Sequence, residues 1–257
     1  MIPLAFDRLT KRYGAVTAVD QLSAGIQPGR VTVFLGANGS GKTTSMRALL
    51  GLTPPTSGTA TIGGRAYREL DHPARAVGAV LDQGFHPNRS GRQHLRIAAL
   101  QAGVPARRAD ELLTEFGLAE AAGRRVGGYS LGMRQRLALA TALIGNPGVL
   151  VLDEPFNGLD PDGITALRTF LRRFADGGGT VFLSSHLLGE IEHVADDCII
   201  IDRGRLVAAG PVASLLRGRA GDLEGVFAVL VHGARDGSAP GAPGSTQQIS
   251  ARLEVAR

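Results

Sequence analysis

One cysteine, Cys198, stands in 257 residues, which excludes an internal disulfide and any zinc site built on cysteine pairs. No run reaches the roughly 18 consecutive apolar residues that a membrane-spanning helix needs. The longest runs, at 148–152 and 226–231, are only strand-length. Residues 1–11 lack the basic start and long apolar stretch of a secretory leader, which predicts a cytoplasmic protein. Lysine is scarce: Lys11 and Lys42 are the only two among 28 basic residues, the rest being arginine. Those arginines are scattered, so the net charge of +5 reads as a solvated surface and no nucleic-acid partner is expected. There is no internal repeat and no sustained heptad pattern.

What is present, 44% apolar and 20% charged residues, suits one large globular domain or a domain carrying an insertion. Short apolar segments at 5–9, 31–35, 77–81, 149–152, 180–183 and 198–201 read as strands. Helix-like segments at 42–50, 161–174 and 187–194 follow three of them, an alternation that predicts an α/β protein with a mostly parallel sheet. Cys198 falls in a strand and reads as a small core residue. Between 84 and 145, leucines are spaced among Arg, Ala and Glu without a strand pattern, which predicts an inserted helical subdomain. A return strand is expected at 204–210 and a short helix at 212–216. From Gly233 the chain is rich in Gly, Pro, Ser and Ala, and a loosely held tail is expected over 233–257.

Residues 31–44 read VTVFLGANGSGKTT. An apolar strand runs into Gly36-x-x-x-x-Gly41-Lys42-Thr43 and a helix follows. Glycines let the backbone turn its N–H groups inward, and the helix N-terminus adds partial positive charge, so the loop suits a polyphosphate. Lys42 is expected to reach the β- and γ-phosphates and the Thr43 hydroxyl to bind Mg²⁺. The pattern defines a nucleotide triphosphatase or kinase without separating them.

Residues 149–155 read VLVLDEP, an apolar strand ending in two carboxylates at the sheet edge where α/β proteins bind ligands. Asp153 is expected to hold Mg²⁺ and Glu154 to polarise the attacking water, a general-base role worth roughly 10²–10⁴ in rate. Asp160 suits a helix N-cap and Pro161 the first helical turn. His186, after the strand at 180–183, is placed to meet a γ-phosphate. At 128–136 the stretch GYSLGMRQR sets a serine and a glycine at the head of an apolar helix.

In this order the pieces resemble the ATP-binding subunit of an ABC transporter, over about residues 4–232. The resemblance implies a P-loop NTPase core with a mainly parallel sheet, an N-terminal antiparallel β subdomain and an inserted helical subdomain. Domain 1–232 would then bind ATP and Mg²⁺, followed by the tail. It assigns nucleotide binding to Gly36, Ala37, Asn38, Gly39, Ser40, Gly41, Lys42, Thr43 and Thr44, and adenine stacking to Tyr13. Catalysis falls to Glu154 and His186, and the D-loop to 157–160. The signature, usually Leu-Ser-Gly-Gly-Gln, falls on Tyr129-Ser130-Leu131-Gly132-Met133, with Ser130 and Gly132 clamping a γ-phosphate bound to a second subunit. Leu131 and Met133 depart from that pattern. The Q-loop glutamine aligns with Asp82, with Gln83 one position late, and either could approach Mg²⁺.

HPNRSGRQHL and the segment at 222–227 resemble the single-cassette subunits of bacterial drug or antibiotic exporters. Those work as dimers, here expected as a homodimer, on a separately encoded membrane permease at the inner face of the membrane. An ABC-type ATPase acting on nucleic acid or ribosomes is the alternative. Such proteins usually carry two cassettes, a coiled-coil insertion or zinc cysteines, none of which this sequence has. A small-molecule kinase would keep the phosphate loop but leave Ser130-x-Gly132 and Asp153-Glu154 unexplained.

Overall fold

A computed structural model describes residues 1–81, 84–186, 188–216 and 223–235. The chain forms two compact units, one of Met1–Ile2, Pro28–Val31 and Tyr67–Ser184, the other of Pro3–Gln27, Thr32–Ala66 and Ser185–Arg257.

The second unit opens with β1 (Leu4–Tyr13) and β2 (Val16–Ile26), then holds most of β3 (Val31–Leu35), α1 (Lys42–Leu49) and β4 (Ser57–Ile62). β1 lies between β2 and β4, antiparallel to both. Its apolar residues break phase: Leu4 and Phe6 are two apart, while Leu9 is three further on, and all three are buried. A strand alternates faces every residue, so Leu9 can share the buried face only if the chain gains a residue. The structure supplies that slip as an irregularity between Phe6 and Leu9, with Arg8 at φ +45°.

β2 and β4 lie outside the strands expected from sequence. Val16 and Thr17 are exposed and Ser23, Gly25, Ser57 and Gly58 carry no apolar side chain, so the alternation that marks a half-buried strand is too faint to read. Pairing with β1 forms these strands where local pattern does not.

The first unit contains α2 (Pro73–Ala76), β5 (Val77–Val80), α3 (Gly91–Gln101), α4 (Arg107–Glu115), α5 (Leu131–Ala142), β6 (Val149–Leu152), α6 (Pro161–Asp176) and, except for its last residue, β7 (Thr180–Ser185). β6 lies between β5 and β7 and is parallel to both; every residue of β6 is buried, as a sheet covered on both faces requires. Residues 84–145 hold α3, α4 and α5. Ser90 starts α3 with a capping box, exchanging hydrogen bonds with Gln93. Asp160 caps α6 by accepting the Gly163 N–H at 2.9 Å, with Pro161 in the first turn.

The second unit resumes with α7 (Leu188–Ile191), β8 (Asp197–Asp202), β9 (Arg205–Pro211), α8 (Val212–Leu216) and α9 (Leu223–Arg235). β8 runs parallel to β3 and antiparallel to β9. Cys198 is fully buried in β8, and burial, helped by Asp197, pushes its thiol up to about 12. The apolar run at 226–231 belongs to α9: Val226 and Val231 are buried while Val229 is 63% exposed, a helical alternation of faces. Of the expected tail, 233–235 close α9 and 236–257 lie outside the described residues. No described helix is long and apolar enough to cross a membrane.

Candidate functional site

In the second unit, β3 is buried throughout and delivers the chain into Gly36. A Cβ at Gly36 would stand 2.6 Å from the Ile201 carbonyl oxygen and collide with Ser40 Oγ, so only glycine fits. Gly39 and Gly41 adopt φ +77° and +106°, and Gly41 lies so close to the Ala18 carbonyl that a side chain there would strike backbone. The turn between β8 and β9 braces the loop, Gly204 N–H donating to Ser40 O at 2.9 Å.

Gly41 precedes α1, whose first turn carries no acidic residue, so the positive end of the helix is not offset by a local carboxylate. Lys42 is 6% exposed, and its Nζ donates to Gly36 O at 2.6 Å and Ala37 O at 3.3 Å, lying along the loop. Ser40 Oγ is buried and has no hydrogen-bond partner among the described residues. Ala37, Asn38, Gly39 and Thr43 are exposed and Thr44 half-buried. The result is a glycine-bent loop with a buried ammonium lying along it at the head of a helix, a setting whose positive charge suits an anion.

Tyr13, at the end of β1, is 51% exposed, and Lys11 Nζ sits 4.9 Å from its ring centroid. Lys11 also donates to Pro54 O at 2.8 Å, which fixes the ammonium over the ring. His186 is exposed just past β7.

In the first unit, β6 ends at Leu152 and presents Asp153 and Glu154, both partly exposed. The Asp153 N–H donates to Val80 O at 2.7 Å. Glu154 turns the chain at φ +49°, a left-handed conformation that a side-chain-bearing residue takes at a cost of about 1–3 kcal/mol. Ser184, fully buried in β7, donates its hydroxyl proton to Asp153 Oδ1 and accepts the Glu154 N–H at 2.9 Å. Sequence reasoning did not assign Ser184; the one available signal was a serine pair inside an otherwise apolar strand.

Ser130 is the N-cap of α5, its Oγ accepting the Met133 N–H at 3.2 Å. Ser130, Leu131 and Gly132 line an open cleft of about 1160 Å³ that also runs past Gly158, Asp160 and Phe170. Among the described residues beyond its own helix turn, a Cβ at Gly132 would meet nothing within 4 Å, so their packing does not require glycine there. From α5, the buried Gln135 donates to the Pro155 carbonyl at 2.8 Å, tying the serine-capped helix to the turn after Glu154. Sequence reasoning missed this link as well. Asp82 and Gln83, the Q-loop candidates, lie outside the described residues.

The first unit therefore gathers Asp153, Glu154 and Ser184 around one hydroxyl, and Ser130 and Gly132 on one cleft. The second gathers residues 36–44 into an anion cradle.

These features define a P-loop nucleotide-binding protein of the α/β class. The chain belongs to the ABC transporter family, whose model matches residues 19–157. It is 42% identical over 207 residues to a bacitracin transport ATP-binding protein of Bacillus licheniformis, covering 79% of this chain and 68% of that one. A lantibiotic transport ATP-binding protein of Streptococcus pyogenes is 37% identical over 205 residues, covering 79% of this chain and 89% of that one. A solved ATP-binding subunit of an ABC transporter superposes with a TM-score of 0.80 at 28% identity, over 89% of this chain and 99% of that one. A nucleotide-free ATP-binding cassette shares the fold with a TM-score of 0.72 at 22% identity, over 82% of this chain and 92% of that one. The chain is an ATP-binding and ATP-hydrolysing subunit of a transporter.

Proposed function

We propose that this subunit powers export of an antibiotic-type compound through a separate membrane permease, by ATP-driven head-to-tail pairing of two identical cassettes. The relatives named for bacitracin and lantibiotic transport support the cargo class. ATP lies with its phosphates in the cradle of residues 36–44 and its adenine on Tyr13. Glu154 takes a proton from the attacking water and His186 steadies the γ-phosphate. Mg²⁺ takes oxygen ligands and keeps several waters, so one hydroxyl and one carboxylate, Thr43 and Asp153, have the chemistry to hold it; when bound it neutralises phosphate charge. Asp82 or Gln83 supplies a further oxygen.

The observation that carries the pairing is Gly132. Glycine stands at the head of α5, beside the Ser130 cap, where, among the described residues beyond its own helix turn, nothing comes within 4 Å of a would-be side chain. An external phosphate approaching the helix N-terminus gives that small residue a purpose. Hydrolysis removes the shared γ-phosphate, and with it the differential binding that favours the closed pair. At the inner face of the membrane, opening and closing would then move the permease.

The test is light scattering on Glu154→Gln with Mg²⁺ and ATP. Twice the monomer mass, reverting to monomer when Ser130→Arg is added, is expected. A monomer in both cases rules out the shared nucleotide.

A further inference from the structure

We propose that Ser184 is a positioning residue that sets both carboxylates of the hydrolytic site; the inference rests on the roles given above to Asp153 and Glu154. A hydroxyl has one proton and two lone pairs. Ser184 is 0% exposed, so water cannot compete for either. Its proton goes to Asp153 Oδ1, and one lone pair takes the Glu154 N–H at 2.9 Å. One buried atom is thus bound to the side chain of the first carboxylate and to the backbone of the second.

Each bond has a separate consequence. The bond to Oδ1 restrains rotation of the Asp153 carboxylate about its own axis, which fixes where its second oxygen points. The bond from the Glu154 N–H holds the peptide at the residue with φ +49°, and that backbone angle decides the direction in which the Glu154 side chain leaves the strand end. Phe182 and Leu183, the two residues before it in β7, are fully buried and apolar, so burial at this point of the strand does not by itself call for a hydroxyl. A hydroxyl there is explained by what it holds: without it, a part-buried N–H and a carboxylate oxygen both lose this partner.

The experiment compares wild type, Ser184→Ala and Ser184→Thr for steady-state ATP hydrolysis, and for Mg²⁺-dependent binding of a fluorescent ATP analogue. Ser184→Ala is expected to lower kcat about tenfold with KM for ATP shifted less than about twofold, the size of one lost hydrogen bond in the transition state. Its analogue affinity without Mg²⁺ should match wild type, while half-maximal enhancement by Mg²⁺ needs several-fold more metal. Ser184→Thr, which keeps the hydroxyl, should restore most of the rate. If Ser184→Ala does not fold, Ser184→Val against Ser184→Thr repeats the comparison at nearly constant volume. A Val variant slower than Thr supports the inference, and equal rates overturn it. An unaltered kcat in Ser184→Ala, or a loss of Mg²⁺-free nucleotide affinity, also overturns it. Glu154→Gln is the separating control: if it hydrolyses ATP like wild type, the base assignment fails whatever Ser184 does.

Discussion

The Leu131 side chain lies over Gly158, so that a Cβ at position 158 would collide with Leu131 Cδ2. The contact joins the first turn of α5 to the segment leading into α6. The large Leu131 side chain is accommodated by a glycine across from it. Gly158 also sits at φ +72°, so it is held for two independent reasons. Gly158→Ala should lower stability by about 1–3 kcal/mol from backbone strain plus overpacking. Adding Leu131→Gly should relieve the collision and leave the strain, so chemical denaturation of the four-member cycle should show a favourable coupling of about 1 kcal/mol. Strict additivity would mean that Leu131 can swing away.

Lys42 is buried and bonded to the carbonyls of Gly36 and Ala37, which hold its ammonium along the loop. A phosphate entering the cradle exchanges those bonds for stronger charge-assisted ones. Lys42→Ala removes the charge and should weaken ATP binding by at least about tenfold, since bonds to charged groups are worth about 1.5–3 kcal/mol each. Isothermal titration with ATP measures this directly. Affinity equal to wild type would take Lys42 out of the phosphate site.

Glu154 separates stability from turnover. Its φ of +49° suits glycine and penalises any residue with a Cβ. Glu154→Gly should therefore be more stable than Glu154→Ala by about 1 kcal/mol. On the base role proposed for Glu154, both should hydrolyse ATP roughly 10²–10⁴-fold more slowly than wild type. Thermal melts together with phosphate release distinguish the two effects. A Gly variant no more stable than the Ala variant would show that the turn relaxes when the glutamate is removed.

Legibility in the sequence followed how local each signal is. The phosphate loop was readable because every constraint on it is written in consecutive residues: an apolar strand, glycines at the sharp turns, then a helix. The strand that ends in Asp153 and Glu154 was readable for the same reason, with Val149–Leu152 buried without a break. β2 and β4 were not, since β1 imposes them from across the sheet. Ser184 and Gln135 were missed because their meaning is tertiary: 31 residues separate Ser184 from Asp153, and 20 separate Gln135 from Pro155. Spacing alone says nothing about such pairs.

Gln135 gives a test of that tertiary link. Its amide is 3% exposed and donates to the Pro155 carbonyl at 2.8 Å, so Gln135→Leu buries an acceptor that has lost this donor. The expected cost is about 1–3 kcal/mol, with ATP affinity of the isolated subunit nearly intact because the cradle of residues 36–44 lies in the other unit. Urea denaturation and nucleotide titration, run side by side, check both halves. A variant as stable as wild type would mean that the carbonyl finds another donor.

His94 makes the first unit sensitive to mild acid. Its Nε2 lies 3.2 Å from Thr141 Oγ1, and the Thr141 hydroxyl proton is already given to Leu137 O at 2.7 Å, so the imidazole must donate through Nε2. A proton added on acidification therefore goes to Nδ1. The edge-on Phe85 ring packs 4.9 Å away, centroid to centroid. Burial first, and the Arg89 charge second, hold the His94 pKa below the ordinary histidine value. The folded state thus resists a proton that the unfolded chain accepts near pH 6.5, and more protons bind on unfolding. Stability is at its full value above pH 6.5 and falls as the pH drops below it, levelling off only under the folded-state pKa. His94→Gln keeps a donor for Thr141 and cannot titrate, so its melting temperature should decline less than that of wild type from pH 7 down to pH 5. Parallel curves for the two proteins over that range would show that other groups, not His94, set the acid sensitivity.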